Sequence, residues 1–310
     1  MNDPLKVSRT SFADNDAYVR IPPDSGLRLE GAHVIYVQTT APGKSDHLVE
    51  LLLTVDALRQ EKVDYVDVVV PYLANARQDK VFQPGEAISA RAILKAVRAQ
   101  GVDRLWTIDV HFWRDVGDID FARLQWGPAL SLDGLQIVNL TAAEDLAEYV
   151  KNELGIHKPV VAIPDKGQRP IHARLKKFFN LVDNDMVLFD KKRVGHDVSL
   201  SLASGRSLPD LSKRDVVIFD DVMSTGKTIA KAASWLKGYG ARDVTLACTH
   251  VIDTTYDEKS TRDRLLEAGV SRIVTTDSIR NERPITEHLV PVAPIFARAL
   301  AQPLQEQLIR

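Results

Sequence analysis

Short runs of β-branched and aliphatic residues recur along this chain, each followed by a stretch with apolar residues at helical spacing. That alternation limits the fold more than any other feature. "HVIYVQ", "VDVVVPY", "LWTIDV", "VVAIPD", "DVVIFDD", "VTLACTHV" and "RIVTTDS" read as strands. Several are apolar at nearly every position, as strands covered on both faces are. Between them, "SDHLVELLLTVDALRQ", "ISARAILKAVRAQG", "AAEDLAEYVKNELG", "TIAKAASWLKGYG" and "RDRLLEAG" carry helical periodicity, with glycine near several ends. Strand, helix, strand, repeated, predicts an α/β class with mainly parallel sheets flanked by helices. At 310 residues the chain is long enough for two domains. The strands fall into two groups that meet near residue 141, where "NLTAAEDL" offers Thr141 as a helix cap. The expected domains are 1–140 and 141–310, with the last helix free to pack back on the first. Residues 113–136, rich in Asp, Gly and Trp, show no period and read as a long loop or hairpin of unassigned role.

Charge is nearly balanced, 40 Lys and Arg against 42 Asp and Glu, so no global field favours nucleic acid or an anionic membrane. The single cysteine, Cys248, excludes an intrachain disulfide and points to a reducing compartment, with the cytoplasm expected. The first residues lack the apolar stretch of a secretory signal, and no apolar run reaches the roughly 20 residues that span a bilayer. Partners must be sought in local sites.

The most informative site is "VVIFDDVMSTGKT", residues 216–228. Its GKT tail suggests a nucleotide P-loop, but that motif needs glycine five positions before Gly226, and Asp221 stands there. A carboxylate at that point would repel a triphosphate. What remains is a strand delivering Asp220 and Asp221 at its carboxyl end, where ligands of open α/β sheets bind. Ser224, Thr225, Gly226, Lys227 and Thr228 then lead into a helix whose unpaired N–H groups and positive dipole end suit one phosphate. The acids suit sugar hydroxyls, directly or through a divalent ion. Together these residues read as a phosphosugar cradle.

The same segment resembles the 5-phosphoribosyl motif shared by type I phosphoribosyltransferases and ribose-phosphate pyrophosphokinases, the PRPP synthetases. "VVVPYLANARQDKVFQPGEAISARA", residues 68–92, "QTTAPGKSDHLVELLLTVDALR" and "LWTIDVH" are similar to the pyrophosphokinases in order and spacing. The resemblance implies two similar type I phosphoribosyltransferase-like domains. It places ATP on the first, at Arg77, Gln78 and His111, with Arg77 able to bond phosphate oxygens in pairs. "SFADNDAYVRI" occupies the place of a segment that reaches the adenine of a neighbouring subunit, so Phe12, Asp14 and Asp16 join the ATP set and a homodimer or larger homo-oligomer is implied. Ribose 5-phosphate falls to Asp165, in "VVAIPDKGQ", with Asp220, Asp221 and residues 224–228. "VLFDKKRVGHDVSLSL" is similar to the family's mobile catalytic segment, which makes Lys191 and Arg193 the catalytic pair. His111 and Asp165 are the implied helpers of Mg2+.

The implied reaction passes the β,γ-diphosphoryl group of ATP to the C1 hydroxyl of ribose 5-phosphate, a step of nucleotide biosynthesis that needs alignment and charge neutralisation. No residue stands out as a general base. Departures from the family pattern exist: Gln168 breaks a glycine pair and Ile163 replaces a serine, and the amino-terminal segment is expected to lack the family's first strand and helix. Three alternatives bear on the same residues. A phosphoribosyltransferase has no need of "ARQDK" or "DKKR". A non-catalytic regulatory paralogue would be expected to have lost groups that are present here. Transfer to another 5-substituted ribose is compatible with the altered "PDKGQRP" loop.

Overall fold

The computed structural model describes residues 7–22, 28–41, 46–124, 134–165, 169–194, 197–203, 208–281 and 285–301. The chain divides into two compact units, 1–140 and 141–309.

The first unit begins with a hairpin, β1 (Ser8–Ser11) and β2 (Ala17–Arg20). There follow β3 (His33–Val37), α1 (Asp46–Gln60), β4 (Tyr65–Val69), α2 (Ser89–Ala99), β5 (Arg104–Ile108), β6 (Gly117–Asp118) and β7 (Gln136–Leu140). β3 to β7 form one sheet in the order β3-β4-β5-β7-β6, parallel except where β6 meets β7. Central β5 is buried at all five positions, whereas edge strand β3 alternates. That contrast is the expected difference between a strand covered on both faces and one at a sheet edge. Val66, Val68, Leu105 and Ile137 project to a core closed by Leu51, Val55 and Leu58 of α1 and Leu94 and Val97 of α2. The 113–136 stretch is in part a hairpin, because Gly117 and Asp118 pair with Asn139 and Val138. Residues 125–133 lie outside the description.

The second unit contains α3 (Ala143–Asn152), β8 (Val160–Ile163), α4 (Arg169–Phe178), β9 (Met186–Val194), β10 (Asp197–Leu202) and β11 (Asp215–Met223). It continues with α5 (Lys227–Gly238), β12 (Asp243–Val251), β13 (Thr255–Tyr256), β14 (Lys259–Ser260), α6 (Thr261–Glu267), β15 (Val270–Thr276), β16 (His288–Val290) and α7 (Ala293–Leu300). The sheet order is β10-β9-β8-β11-β12-β15-β16, parallel except for the β9–β10 hairpin. β8 is apolar throughout, β11 and β12 are apolar over most of their length, and all three are buried at nearly every position. α3 starts one residue later than the Thr141 cap implies, with Ala142 at its N-cap, although the Thr141 hydroxyl does accept from Ala143 N at 3.2 Å. α7 belongs to this unit, where Arg298 donates to Asp145 Oδ1 at 2.6 Å.

The basic triplet Lys191, Lys192 and Arg193 lies inside β9, with Lys191 opposite Leu200 and Arg193 opposite Val198. Cross-strand pairing with "DVSLSL" extends the strand through residues that carry no apolar signal of their own.

Candidate functional site

The loop at residues 224–226, the candidate phosphate site, is built by the strand before it and the helix after it. β11 ends at Met223 and α5 begins at Lys227, so Ser224, Thr225 and Gly226 make the whole connection. Gly226 sits at φ +70°, the left-handed region that glycine enters freely, and its carbonyl already accepts the first helical bond from Ala230 N at 2.8 Å. A Cβ there would stand 3.3 Å from Thr261 Cγ2 and 3.5 Å from Leu265 Cδ2. Thr261, fully buried, braces the loop from behind: its hydroxyl donates to Ser224 O at 2.6 Å and receives Thr254 N at 3.2 Å. Lys227 turns to Asp257 and Tyr256 on the β13–β14 hairpin.

The two acids of β11 are not equivalent, because successive side chains of a strand point to opposite faces. Asp220 is partly exposed and its Oδ1 accepts Asp221 N at 3.0 Å, whereas Asp221 is only 2% exposed. Across the sheet from Asp220 lies Cys248. Burial pushes its thiol well above the ordinary range, and the carboxylates of Asp220 and Asp221 push it further. Asp165 follows β8, the strand next to β11, and is partly exposed. The backbones of Lys191 and Arg193 are placed two apart on β9, while their side chains lie outside the described residues.

In the first unit the β1–β2 turn gathers three of the predicted residues. Phe12 N donates to Asp16 O at 2.9 Å, Asn15 takes a left-handed φ of 71°, and Asp16 N donates to Asp14 Oδ1 at 3.3 Å. Phe12 is 57% exposed, held edge-on by Tyr18 at 5.2 Å.

After β4, Thr40 anchors the loop carrying Arg77 and Gln78 by donating to Tyr72 O at 2.9 Å and accepting Ala74 N at 2.8 Å. Arg77 is exposed, and Gln78 bonds Ser89 Oγ at 3.3 Å, near the start of α2. After β5, Asn139 of β7 holds the segment containing His111, accepting Val110 N at 2.9 Å and donating to Asp115 O at 2.9 Å. Thr40, Asn139 and Thr261 escape a reading by motif because their work is done on backbone atoms of other segments. Only folding reveals those partners.

Among the described residues no three His, Cys, Asp or Glu side chains converge on a metal position. The donors fit Mg2+, which takes oxygen ligands and commonly keeps only one or two carboxylates beside phosphate oxygens and water. Asp165 offers such a carboxylate. His111 is a weaker match, since Arg114, which can only donate, approaches its Nδ1 at 3.4 Å. Ligation through Nδ1 would displace that contact.

Comparison with known proteins follows the division into units. Residues 2–101 match a family model described as the N-terminal domain of ribose phosphate pyrophosphokinase, and residues 135–282 match one described as a phosphoribosyl transferase domain. A Methanopyrus kandleri protein named ribose-phosphate pyrophosphokinase is 33% identical over 295 residues, covering 95% of this chain and 89% of its own. A Methanosarcina acetivorans protein of the same name is 33% identical over 298 residues, covering 96% and 91%. The crystal structure of phosphoribosylpyrophosphate synthetase from Mycobacterium smegmatis superposes with a TM-score of 0.74 at 24% identity, covering 96% of this chain and 89% of that one, which is a likeness of fold. Similarity over nearly the full length of both partners, with both family models met in order, means that this chain belongs to the ribose-phosphate pyrophosphokinase family.

Proposed function

We propose that this protein transfers the β,γ-diphosphoryl group of ATP to the C1 hydroxyl of ribose 5-phosphate, releasing AMP and 5-phosphoribosyl 1-diphosphate. The observation that carries the reading is the Gly226 loop: a left-handed glycine at the head of α5, with Thr261 fixing the loop through Ser224 O, directly after an acid pair on β11. Its amides take the 5-phosphate, and Asp220 accepts from the ribose hydroxyls with Asp221 behind it. Phe12 stacks on the adenine, Asp14 and Asp16 accept from its edge, and Arg77, Gln78 and His111 engage the rest of the nucleotide. His111 and Asp165 are the residues that would help hold Mg2+, which would supply charge neutralisation at the phosphate oxygens.

The C1 oxygen attacks the β-phosphorus in line, its bond forms as the α,β-bridging bond breaks, and AMP carries away that bond's electron pair. Lys191 and Arg193 neutralise the charge that develops on the bridging region. Use of the Phe12 hairpin by a neighbouring copy makes the working form at least a homodimer, which analytical ultracentrifugation tests. No helix among the described residues is long and apolar enough to cross a membrane. A buried free thiol suits the cytoplasm.

The test is an acceptor panel. Protein, Mg2+ and ATP labelled in the adenine are incubated with ribose 5-phosphate, ribose, and other 5-substituted riboses. AMP forms in step with the C1-diphosphate only when ribose 5-phosphate is present. Release of AMP with a different acceptor, or none with ribose 5-phosphate, overturns the assignment.

A further inference from the structure

Lys227 is the one basic side chain within the phosphate loop, and it is held sideways. Its ammonium lies 3.0 Å from Asp257 Oδ2 and 3.7 Å from the centre of the Tyr256 ring. The carboxylate above all raises Lys227 above the usual lysine range, with Tyr256 adding to it.

The hairpin that carries these partners is built tightly. Tyr256 pairs with Lys259, and the two residues between, Asp257 and Glu258, adopt φ of 49° and 61°. Two consecutive left-handed residues are what the tightest hairpin turn demands, and glycine or asparagine normally supplies them. Here an aspartate sits in that conformation at the tip, aimed at Lys227. α6 fastens the hairpin: Lys259 pairs with Glu267, Arg264 donates to Tyr256 O, and Thr261 N donates to Thr254 O at 3.0 Å. Thr261 is also the residue that braces Ser224, so hairpin and phosphate loop share one support.

A residue in the first turn of a helix projects toward the helix N-terminus. Released from Asp257, Lys227 therefore swings over the amides of the loop, adding a full charge to a site that otherwise works with partial ones. We propose that Tyr256 and Asp257 form a charge gate that holds Lys227 off the phosphate cradle and so sets its affinity and selectivity for the anionic end of the acceptor. With the gate closed, the loop binds a phosphate through backbone dipoles and relies on the hydroxyl contacts of Asp220 to retain a sugar phosphate over free phosphate. With it open, Lys227 favours any phosphate. This inference rests on the reading of residues 224–228 as the 5-phosphate site.

Calorimetric titration of the full chain with inorganic phosphate and with ribose 5-phosphate, at fixed ionic strength, tests it. Asp257→Asn is expected to tighten both about threefold, the scale of an exposed ion pair, with the preference for the sugar phosphate falling. Tyr256→Leu is expected to tighten them about twofold, as loss of one exposed cation–ring contact implies. In a Lys227→Met background Asp257→Asn is expected to change neither affinity. Unchanged or weaker binding in Asp257→Asn, or the same gain with and without Lys227, overturns the gate while leaving the phosphate site standing. Failure of the unaltered protein to bind either anion overturns the phosphate site and the gate together.

Discussion

Gly226→Ala puts the geometry of the phosphate loop to a quantitative test. The left-handed conformation at φ +70° costs an alanine about 1–2 kcal/mol relative to glycine. The added methyl would also meet Thr261 Cγ2 at 3.3 Å and Leu265 Cδ2 at 3.5 Å. Neither neighbour yields easily, since both are fully buried and the Thr261 hydroxyl is tied to Ser224 O. The combined penalty is about 2 kcal/mol, and it has two outlets. If the loop keeps its shape, the loss appears in urea unfolding and in faster hydrogen exchange along residues 227–238. If the loop rotates its amides to relieve the strain, stability is spared and phosphate affinity falls, tenfold for each 1.4 kcal/mol or so. The two losses should therefore sum to roughly the same total. Gly238→Ala is the control in the same helix: that glycine is not left-handed and a Cβ there meets nothing within 4 Å, so the change should be neutral or stabilising by up to about 1 kcal/mol. A Gly226→Ala protein as stable as its parent and binding phosphate equally well would refute the reasoning.

Three further outcomes are expected. Lys191→Ala should lower diphosphoryl transfer by about 100-fold or more while ATP affinity, read by calorimetry, moves less than twofold. Thr261→Val keeps the shape but removes the donor to Ser224 O and the acceptor of Thr254 N, so urea unfolding should show a loss of about 1–3 kcal/mol, with weaker ribose 5-phosphate binding. Cys248 stays neutral in the fold while an unfolded thiol ionises near pH 8.5, so its contribution is fully present below that pH and is lost as pH rises above it. Urea midpoints measured from pH 7 to 10 should fall on the alkaline side, and Cys248→Ala should flatten that fall.

Much of the fold was legible because parallel strands covered on both faces are apolar throughout, and "VVAI", "DVVIF" and "VTLAC" cannot easily be anything else. The elements that escaped are those with weak patterns of their own. α4, "RPIHARLKKF", is strongly basic with few apolar residues, yet Ile171 and Leu175 are buried. β7 follows an aperiodic stretch, and the last part of β9 is a run of cations made a strand by β10. Their state was decided by neighbours.

The candidate site divides in the same way. Asp220, Asp221 and residues 224–228 stand out by residue type and order, since a phosphosugar cradle calls for such groups after a strand, and the Phe12, Arg77, His111 and Asp165 segments stand out by their resemblance to the family. Their support does not stand out. That Thr261 holds Ser224, that Asn139 holds the His111 segment, that Asp221 is buried while Asp220 is open, and that Asp257 restrains Lys227 are all contacts between residues far apart in sequence or on opposite strand faces. Periodicity and side-chain chemistry are local properties, so the linear chain alone determined the strongly patterned elements and marked the candidate ligand groups. Distances of a few ångströms between remote segments exist only once the sheets assemble, and so the tertiary structure alone decided which of those groups are braced, buried or restrained.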